Sequence, residues 1–168
     1  MSPTAYVVLG TLRLGARTGY DIKQLVEKST RFFWAASYGQ IYPELKKLED
    51  AALVRGRDAA AGGRRRRAYE LTPAGEDALD EWLRRPEELT YEMRDLALLK
   101  LFFANSLAPA EAAGIARAAG ERHAAVAATL ATIDPSEGMT RTVRDFGLDF
   151  HTWCAQRFAR MERDLEEK

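Results

Sequence analysis

Four consecutive arginines, Arg64 to Arg67, form the densest cluster of charge in the chain. They follow a pair of glycines and lead into a strand-like stretch, so we expect them near the tip of a β-hairpin, on its returning arm. Guanidinium groups this close repel each other, and a phosphate backbone or a narrow minor groove would relieve that repulsion. Because alternate residues of a strand share a face, Arg64 and Arg66 are the pair expected to reach a nucleic acid. The alternative is a solvated loop that only improves solubility.

A second group of polar side chains belongs to one predicted helix that begins at Ser37. Gln40 stands three residues later, so the two can satisfy each other's exposed backbone donors. Apolar residues recur at helical spacing, and the polar ones fall largely on other faces. The candidate DNA contacts are Ser37, Tyr38, Gln40, Tyr42, Lys46 and Lys47. Gln40 suits a bidentate contact with adenine, and the lysines suit phosphates. One alternative stays open for each of two residues: Gln40 could serve purely as a cap, and Tyr42 could be a half-buried packing residue.

The elements that would position these groups follow from periodicity, caps and breakers. We predict a helix over residues 3–14 and a second over 19–29, which Thr18 should cap together with Asp21 as a capping box. A third helix should run from 37 onward, followed by strands over 53–57 and 65–71 with a tip at 59–63, and by a helix from Thr72-Pro73 to Pro86. This order is that of a winged helix-turn-helix. Pro43 would remove one hydrogen bond inside the third helix, an irregularity more expected at a working surface than in a plain core helix.

Several apolar residues are expected in the core. The second helix should turn Tyr20, Ile22, Leu25 and Val26 inward, and the aromatic run Phe32-Phe33-Trp34 should plug the core behind it. The helix after the hairpin should contribute Ala78, Leu79, Trp82 and Leu83. In the long Ala-rich helix further on, the expected stripe is Ile115, Ala119, Val126, Leu130 and Ile133.

The back half of the chain is predicted to be entirely helical. An apolar segment over 96–103, an Ala-rich helix from Pro109 to about 133 and an aromatic helix from 139 onward follow each other, and the two long helices should pair antiparallel. The aromatic face needs more partner surface than one Ala-rich helix provides, so we expect a homodimer. The fold class is therefore mainly α with a small two-stranded β wing. We predict a winged helix-turn-helix domain over 1–85, a linker over 86–92 and an all-helical dimerisation domain over 93–168.

Composition narrows the class of protein. Net charge is zero, yet residues 1–85 carry 15 Lys and Arg against 11 Asp and Glu, whereas residues 86–168 carry 10 against 14. The basic half points to an anionic partner.

The chain has a single cysteine, Cys154, which allows no internal disulfide and fits a reducing cytoplasm. We expect it to be a buried apolar residue, with a redox sensor as the alternative. We expect no membrane span, no metal site, no cofactor and no catalytic residue, hence no enzyme.

The chain resembles the PadR-like transcriptional regulators in four segments that keep the order and spacing of that family. They are Val8-Leu9-Gly10, Gly19-Tyr20-Asp21-Ile22, the run from Gly39 to Glu49, and the run from Ala68 to Gly75. The back half is similar to the larger subfamily, whose helical C-terminal domain resembles that of virulence-type activators, through Arg94-Asp95 and Leu98–Phe103. One departure is Ala108, which cannot cap a helix where a serine is common.

The resemblance implies a homodimer with one winged helix per subunit on a pseudo-palindromic operator in double-stranded DNA. The third helix would enter the major groove, and the wing would touch the minor groove or the backbone. It also implies a repressor that a small-molecule or stress signal releases from DNA. The alternative is a winged helix used for protein–protein contact without specific DNA binding.

Overall fold

The computed structural model describes residues 1–61, 64–86, 93–134 and 138–167, with the backbone alone over 59–61 and 64–66. The chain folds as two compact units, residues 1–89 and 90–168. Its helices are α1 (Pro3–Arg13), α2 (Gly19–Lys28), α3 (Tyr38–Asp50), α4 (Pro73–Arg84), α5 (Leu96–Phe102), α6 (Pro109–Thr132) and α7 (Met139–Glu166). The strands are β1 (Val54–Ala61) and β2 (Arg64–Leu71), and single 3-10 turns cover Thr30–Phe32 and Ala104–Ser106.

The first unit packs α1, α2, α3 and α4 around one apolar core beside the hairpin. The largest fully buried side chains are Val8, Leu9, Leu12, Ile22, Val26, Ile41, Leu45 and Val54. The two strands pair antiparallel from Val54 opposite Leu71 to Ala61 opposite Arg64, and Thr18 forms one further bridge to Ala68. The core thus anchors α3 and the base of the hairpin in the same unit.

Local hydrogen bonds fix where the helices of this unit begin and end. Asp21 accepts from the Thr18 N–H at 2.9 Å while the Thr18 hydroxyl accepts from the Asp21 N–H at 3.1 Å, which is the capping box the sequence predicts. Thr72 likewise caps α4. At the end of α3, Ala52 adopts a left-handed conformation (φ 56°), and its N–H donates to the Glu49 carbonyl. Glycine is usual at this position, so this helix end could not be predicted from the residue type.

Several expected core residues of the first unit lie at the surface instead. Phe33 is 63% exposed and Trp34 45%, whereas Ala36, which follows them, is buried in the core. Tyr20 and Leu83 are also exposed, whereas Trp82 stacks on Tyr6 with ring centres 4.3 Å apart. The hairpin strands extend to residues 61 and 64, so the expected tip at 59–63 was too long; residues 62 and 63 lie outside the described part of the chain.

The second unit is dominated by the antiparallel pair of α6 and α7. Small residues permit close approach: a Cβ on Gly120 would lie 3.4 Å from the Phe158 Cβ. The buried side of α6 consists of Ala112, Ala113, Ala116, Ala119, Gly120, His123, Ala127 and Leu130. Of the expected stripe, Ala119 and Leu130 are buried as predicted, whereas Ile115, Val126 and Ile133 are only partly buried. At the start of α6 the Glu111 carboxylate accepts from the Ala108 N–H at 2.9 Å. This is one of the two hydrogen bonds of a capping box; the other needs a side-chain acceptor, which alanine lacks.

Two histidines face each other between α6 and α7. The Nδ1 atoms of His123 and His151 are 2.7 Å apart, and the His123 ring stacks on Phe158. Cys154 is buried beside them, and that burial raises the pKa of its thiol, with Asp95 acting in the same direction. A raised pKa opposes the redox-sensor alternative for this cysteine, because the reactive species is the thiolate.

Candidate nucleic-acid interface

Helix α3 presents two chemically different sides. Ile41, Leu45 and Leu48 are buried in the core of the first unit. All six polar residues singled out from the sequence are exposed: Ser37, Tyr38, Gln40, Tyr42, Lys46 and Lys47. The apolar side fixes the orientation of the helix and leaves the hydrogen-bonding groups on the side that faces solvent.

The start of α3 is held by Gln40. Its Oε1 accepts from the Ser37 backbone N–H at 2.9 Å and lies 3.2 Å from the Ser37 hydroxyl. The side chain therefore acts as a cap in this structure, in agreement with the alternative left open for it. A bidentate contact with adenine uses the same oxygen, so Oε1 would have to exchange partners on DNA.

Two tyrosines stack on the exposed side of the helix. The ring centres of Tyr38 and Tyr42 are 6.1 Å apart with planes 22° from parallel. Tyr42 also rests against the first residue of α2, where a Cβ on Gly19 would lie 2.6 Å from its Cε1 atom. Tyr42 is nevertheless 51% exposed. Its ring therefore packs on Gly19 and still presents a large part of its surface to solvent.

The two lysines are paired within the helix. Lys46 Nζ lies 3.0 Å from Asp50, and Lys47 Nζ lies 2.9 Å from Glu44. Both lysine side chains are at least 70% exposed. Both members of the Lys46–Asp50 pair are exposed, and such pairs contribute about 0.2–1 kcal/mol, so a phosphate can replace Asp50 as the partner of Lys46. Helix α3 also runs through Pro43, which cannot donate to the Gly39 carbonyl one turn earlier.

The arginines at the base of the hairpin bind carboxylates. Arg55 and Arg57 both reach Glu70, at 2.7 and 3.0 Å. The described backbone of Arg64 and Arg66 lies on β2 opposite Ala61 and Ala59, and their side chains lie outside the described part of the chain. Arg67, the last of the four arginines, pairs with Glu49 of α3. The sequence did not reveal this contact, because the two residues are 18 positions apart.

Other kinds of site find no support in the parts that the structure describes. Over residues 1–61, 64–86, 93–134 and 138–167 no group of three or more His, Cys, Asp or Glu is placed to hold a metal ion. Among these same residues no helix combines the length and apolar character that a membrane crossing requires.

A three-helix core, a two-stranded wing and an exposed polar third helix define the winged-helix class, whose characteristic ligand is DNA. A model of the Transcriptional regulator PadR-like family matches residues 8–81. The chain is 36% identical over 111 residues to the Negative transcriptional regulator PadR of Bacillus subtilis, a match that covers 66% of this chain and 61% of that protein. Both matches show that the chain is similar to the PadR-like family.

Solved structures extend the likeness to both units. Bacillus subtilis PadR in complex with operator DNA is 27% identical, with a TM-score of 0.86 over 98% of this chain and 99% of that one. The same protein with p-coumaric acid has a TM-score of 0.75 at 26% identity and covers 100% and 99% of the two chains. The Vibrio cholerae virulence activator AphA is also 26% identical, with a TM-score of 0.61 over 97% and 98%. These matches confirm the predicted fold class.

Proposed function

We propose that this chain is a sequence-specific DNA-binding transcriptional repressor that acts as a homodimer and leaves its operator when a small molecule binds. The observation that carries the proposal is the exposed polar side of α3, held rigidly above an apolar core and followed by a hairpin with four arginines. The relative of known structure bound to operator DNA supports the same assignment.

In this proposal α3 enters the major groove. Tyr38 and Tyr42 donate through their hydroxyls to phosphates or touch thymine methyls, and Lys46 and Lys47 exchange their carboxylate partners for phosphates. Gln40 and Ser37 lie at the helix N-terminus, where the macrodipole favours an approaching phosphate. Gln40 reads a base only if it leaves its cap on Ser37.

The wing supplies the second contact. Arg64 and Arg66 reach the minor groove or the phosphate backbone near the end of the hairpin. At the base of the hairpin, Arg55 and Arg57 instead form ion pairs with Glu70. We assign the winged helix to residues 1–85, the linker to 86–92 and the dimerisation domain to 93–168.

Helix α7 supplies the argument for a dimer. Its exposed face carries Met139, Val143, Phe146 and Trp153, with the half-buried Phe150 between the last two. Their spacing alternates between four and three residues, which is the repeat of a helix packed along another helix. Phe146 is 72% exposed and Trp153 59%, an unusual exposure for aromatic side chains that a second copy of the chain would cover.

The partners follow from these assignments: a pseudo-palindromic operator, a second copy of the chain and a small-molecule effector. The relative solved with p-coumaric acid makes that compound the first effector to try. We place the chain in the cytoplasm, since bacterial operator DNA lies there, and we assign it no cofactor.

The experiment is selection from a pool of random-sequence duplexes by the purified chain. A dimer should select a site with two-fold symmetry, and sedimentation should give twice the chain mass. On the selected duplex, the double variant Arg64→Ala/Arg66→Ala should lower the log–log salt slope by about 0.9 for each lost phosphate contact. Gln40→Ala should alter base preference if Gln40 reads a base, and should weaken all sequences alike if it only caps.

Arg84→Ala is the matched control, because Arg84 is an exposed arginine of the same unit, on α4 and paired only weakly with Asp80. It should leave the slope unchanged. An unchanged slope in the double variant would remove the wing from the mechanism, and failure to enrich any sequence would refute the proposed function.

A further inference from the structure

One carboxylate ties the base of the wing to helix α3. Glu49, in the last turn of α3, accepts a hydrogen bond from Arg67 Nη2 on β2 at 2.5 Å. The same oxygen, Oε1, accepts from the backbone N–H of Gly56 on β1 at 3.1 Å. A single side chain of α3 is therefore bonded to both strands of the hairpin.

The absence of a side chain at Gly56 makes this arrangement possible. A Cβ at that position would lie 2.5 Å from Arg67 Nε and 2.6 Å from Glu49 Oε1. The arginine thus crosses directly over the Gly56 backbone to reach α3. Any larger residue would push the guanidinium away from the carboxylate.

Arg67 is also held from two other directions. Its Nη1 donates to Asp58 Oδ1 at 3.2 Å across the strand pair, and its guanidinium carbon lies 6.0 Å from the ring centre of Tyr69. The hydrogen bond from Arg67 lowers the pKa of Glu49, the Gly56 N–H acts in the same direction, and burial opposes both. Glu49 in turn raises the pKa of Arg67. Both groups are therefore charged at neutral pH, and the positive charge of Arg67 is neutralised locally.

We propose that Glu49 and Arg67, here called the Glu49–Arg67 clamp, are positioning residues for DNA recognition. The clamp fixes the separation between α3 and the wing, and Arg67 itself contacts no DNA. This inference rests on the proposed function, in which α3 and the wing enter different grooves of one duplex. Their separation then decides whether both elements bind the same duplex at once.

The clamp predicts a change in DNA affinity opposite to the one that simple electrostatics predicts for the loss of an acidic residue. Removing an acidic residue close to DNA ordinarily strengthens binding, because less negative charge faces the phosphates. If Glu49 positions the wing, Glu49→Ala should instead weaken binding to the selected duplex. Asp50→Ala is the matched control: Asp50 is the next residue of α3, is exposed and pairs with exposed Lys46. Asp50→Ala should bind the selected duplex as tightly as the wild-type chain or more tightly.

A double-mutant cycle separates a clamp from two independent residues. Glu49→Ala and Arg67→Ala should each weaken binding to the selected duplex by about tenfold, and the double variant should be no weaker than either single one. Glu49→Gln keeps an acceptor oxygen and should recover part of the loss. Arg67→Ala should leave the salt slope of specific binding unchanged, unlike the arginines nearer the tip of the hairpin. A hundredfold loss in the double variant, or a lowered slope in Arg67→Ala, would overturn the proposal.

Amide hydrogen exchange tests whether the clamp forms in the chain without DNA. The Gly56 N–H donates to Glu49, so its exchange in the free wild-type chain should be slow and should accelerate in Glu49→Ala. Equal exchange in the two chains would show that the clamp does not form. Unchanged selectivity of Glu49→Ala beside a selective wild-type chain would refute the positioning role alone. A wild-type chain without sequence preference would instead refute the proposed function, and the positioning role with it.

Discussion

Replacing Gly19 by alanine tests how Tyr42 is presented to DNA. Gly19 is the first residue of α2 and is buried against the Tyr42 ring. An alanine Cβ would lie 2.6 Å from Cε1 and 2.8 Å from Cζ of that ring. Carbon atoms pack at about 3.5–4.0 Å, so the ring must move away by about 1 Å. Because Tyr42 is half exposed, the side chain has room to do so without rearrangement of the core.

The displacement should affect binding far more than folding. An off-rotamer side chain costs about 0.5–1.5 kcal/mol, and the higher helix propensity of alanine offsets up to about 1 kcal/mol of it. A shift of about 1 Å, however, exceeds the range of a good hydrogen bond from the Tyr42 hydroxyl to a phosphate. Hydrogen bonds to charged groups contribute about 1.5–3 kcal/mol, so binding should weaken by about tenfold to a hundredfold.

The assay is fluorescence anisotropy with the selected duplex, together with thermal unfolding of the free chain. Gly10→Ala is the control, since a Cβ on that residue of α1 would contact nothing within 4 Å. It should bind as the wild type does. Tyr42→Phe should reproduce the loss of Gly19→Ala without moving the ring. Wild-type affinity in Gly19→Ala would refute the reasoning, and a loss confined to Gly19→Ala would place the contact on the ring and not on its hydroxyl.

Two further predictions concern stability. Gly75→Ala would place a Cβ 2.0 Å from the Leu53 carbonyl oxygen, a backbone atom that cannot move cheaply, so the unfolding midpoint in urea should fall while Gly10→Ala keeps or raises it. Burial lowers the pKa of His123 and of His151, helped by Arg122 and opposed at His123 by Asp95. The second unit should therefore be fully stable above about pH 6.5 and lose stability as the pH falls below that value, because the unfolded chain then binds more protons. Urea unfolding at pH 7.5 and 5.5 measures this, and an equally steep pH dependence in His151→Gln would contradict it.

Features that depend on neighbouring residues were accessible from the sequence. The capping box of Thr18 with Asp21 and the start of α4 at Thr72-Pro73 involve residues no more than three positions apart, and both are present as predicted. The division of α3 into an apolar and a polar side was equally accessible, because helical periodicity depends only on spacing. The exposure of all six candidate residues on α3 follows from that division.

Features that depend on how side chains pack in three dimensions could not be predicted from the sequence. A pattern of apolar residues marks Phe33 and Trp34 as core, yet both are exposed while Ala36 is buried. On α6 nearly every residue is small or apolar, so several rotations of the helix fit the sequence equally well. The close approach of Gly120 to Phe158 selects one of them, and with it the burial of His123. Such choices are made by the partner helix and leave no signal within α6 itself.

The arginines of the wing show why charge counts alone mislead. Residues 1–85 have a surplus of basic residues, which predicts an anionic partner for this half of the chain. In the structure Arg55 and Arg57 are bound to Glu70, and Arg67 is bound to Glu49 and Asp58. The basic residues at the base of the hairpin thus stabilise it, because each has a carboxylate within ion-pair distance. In the proposed function the wing therefore binds phosphates through Arg64 and Arg66, which lie nearer the turn. The salt dependence of binding should therefore report these two arginines together with Lys46 and Lys47 of α3, and not the whole basic half of the chain.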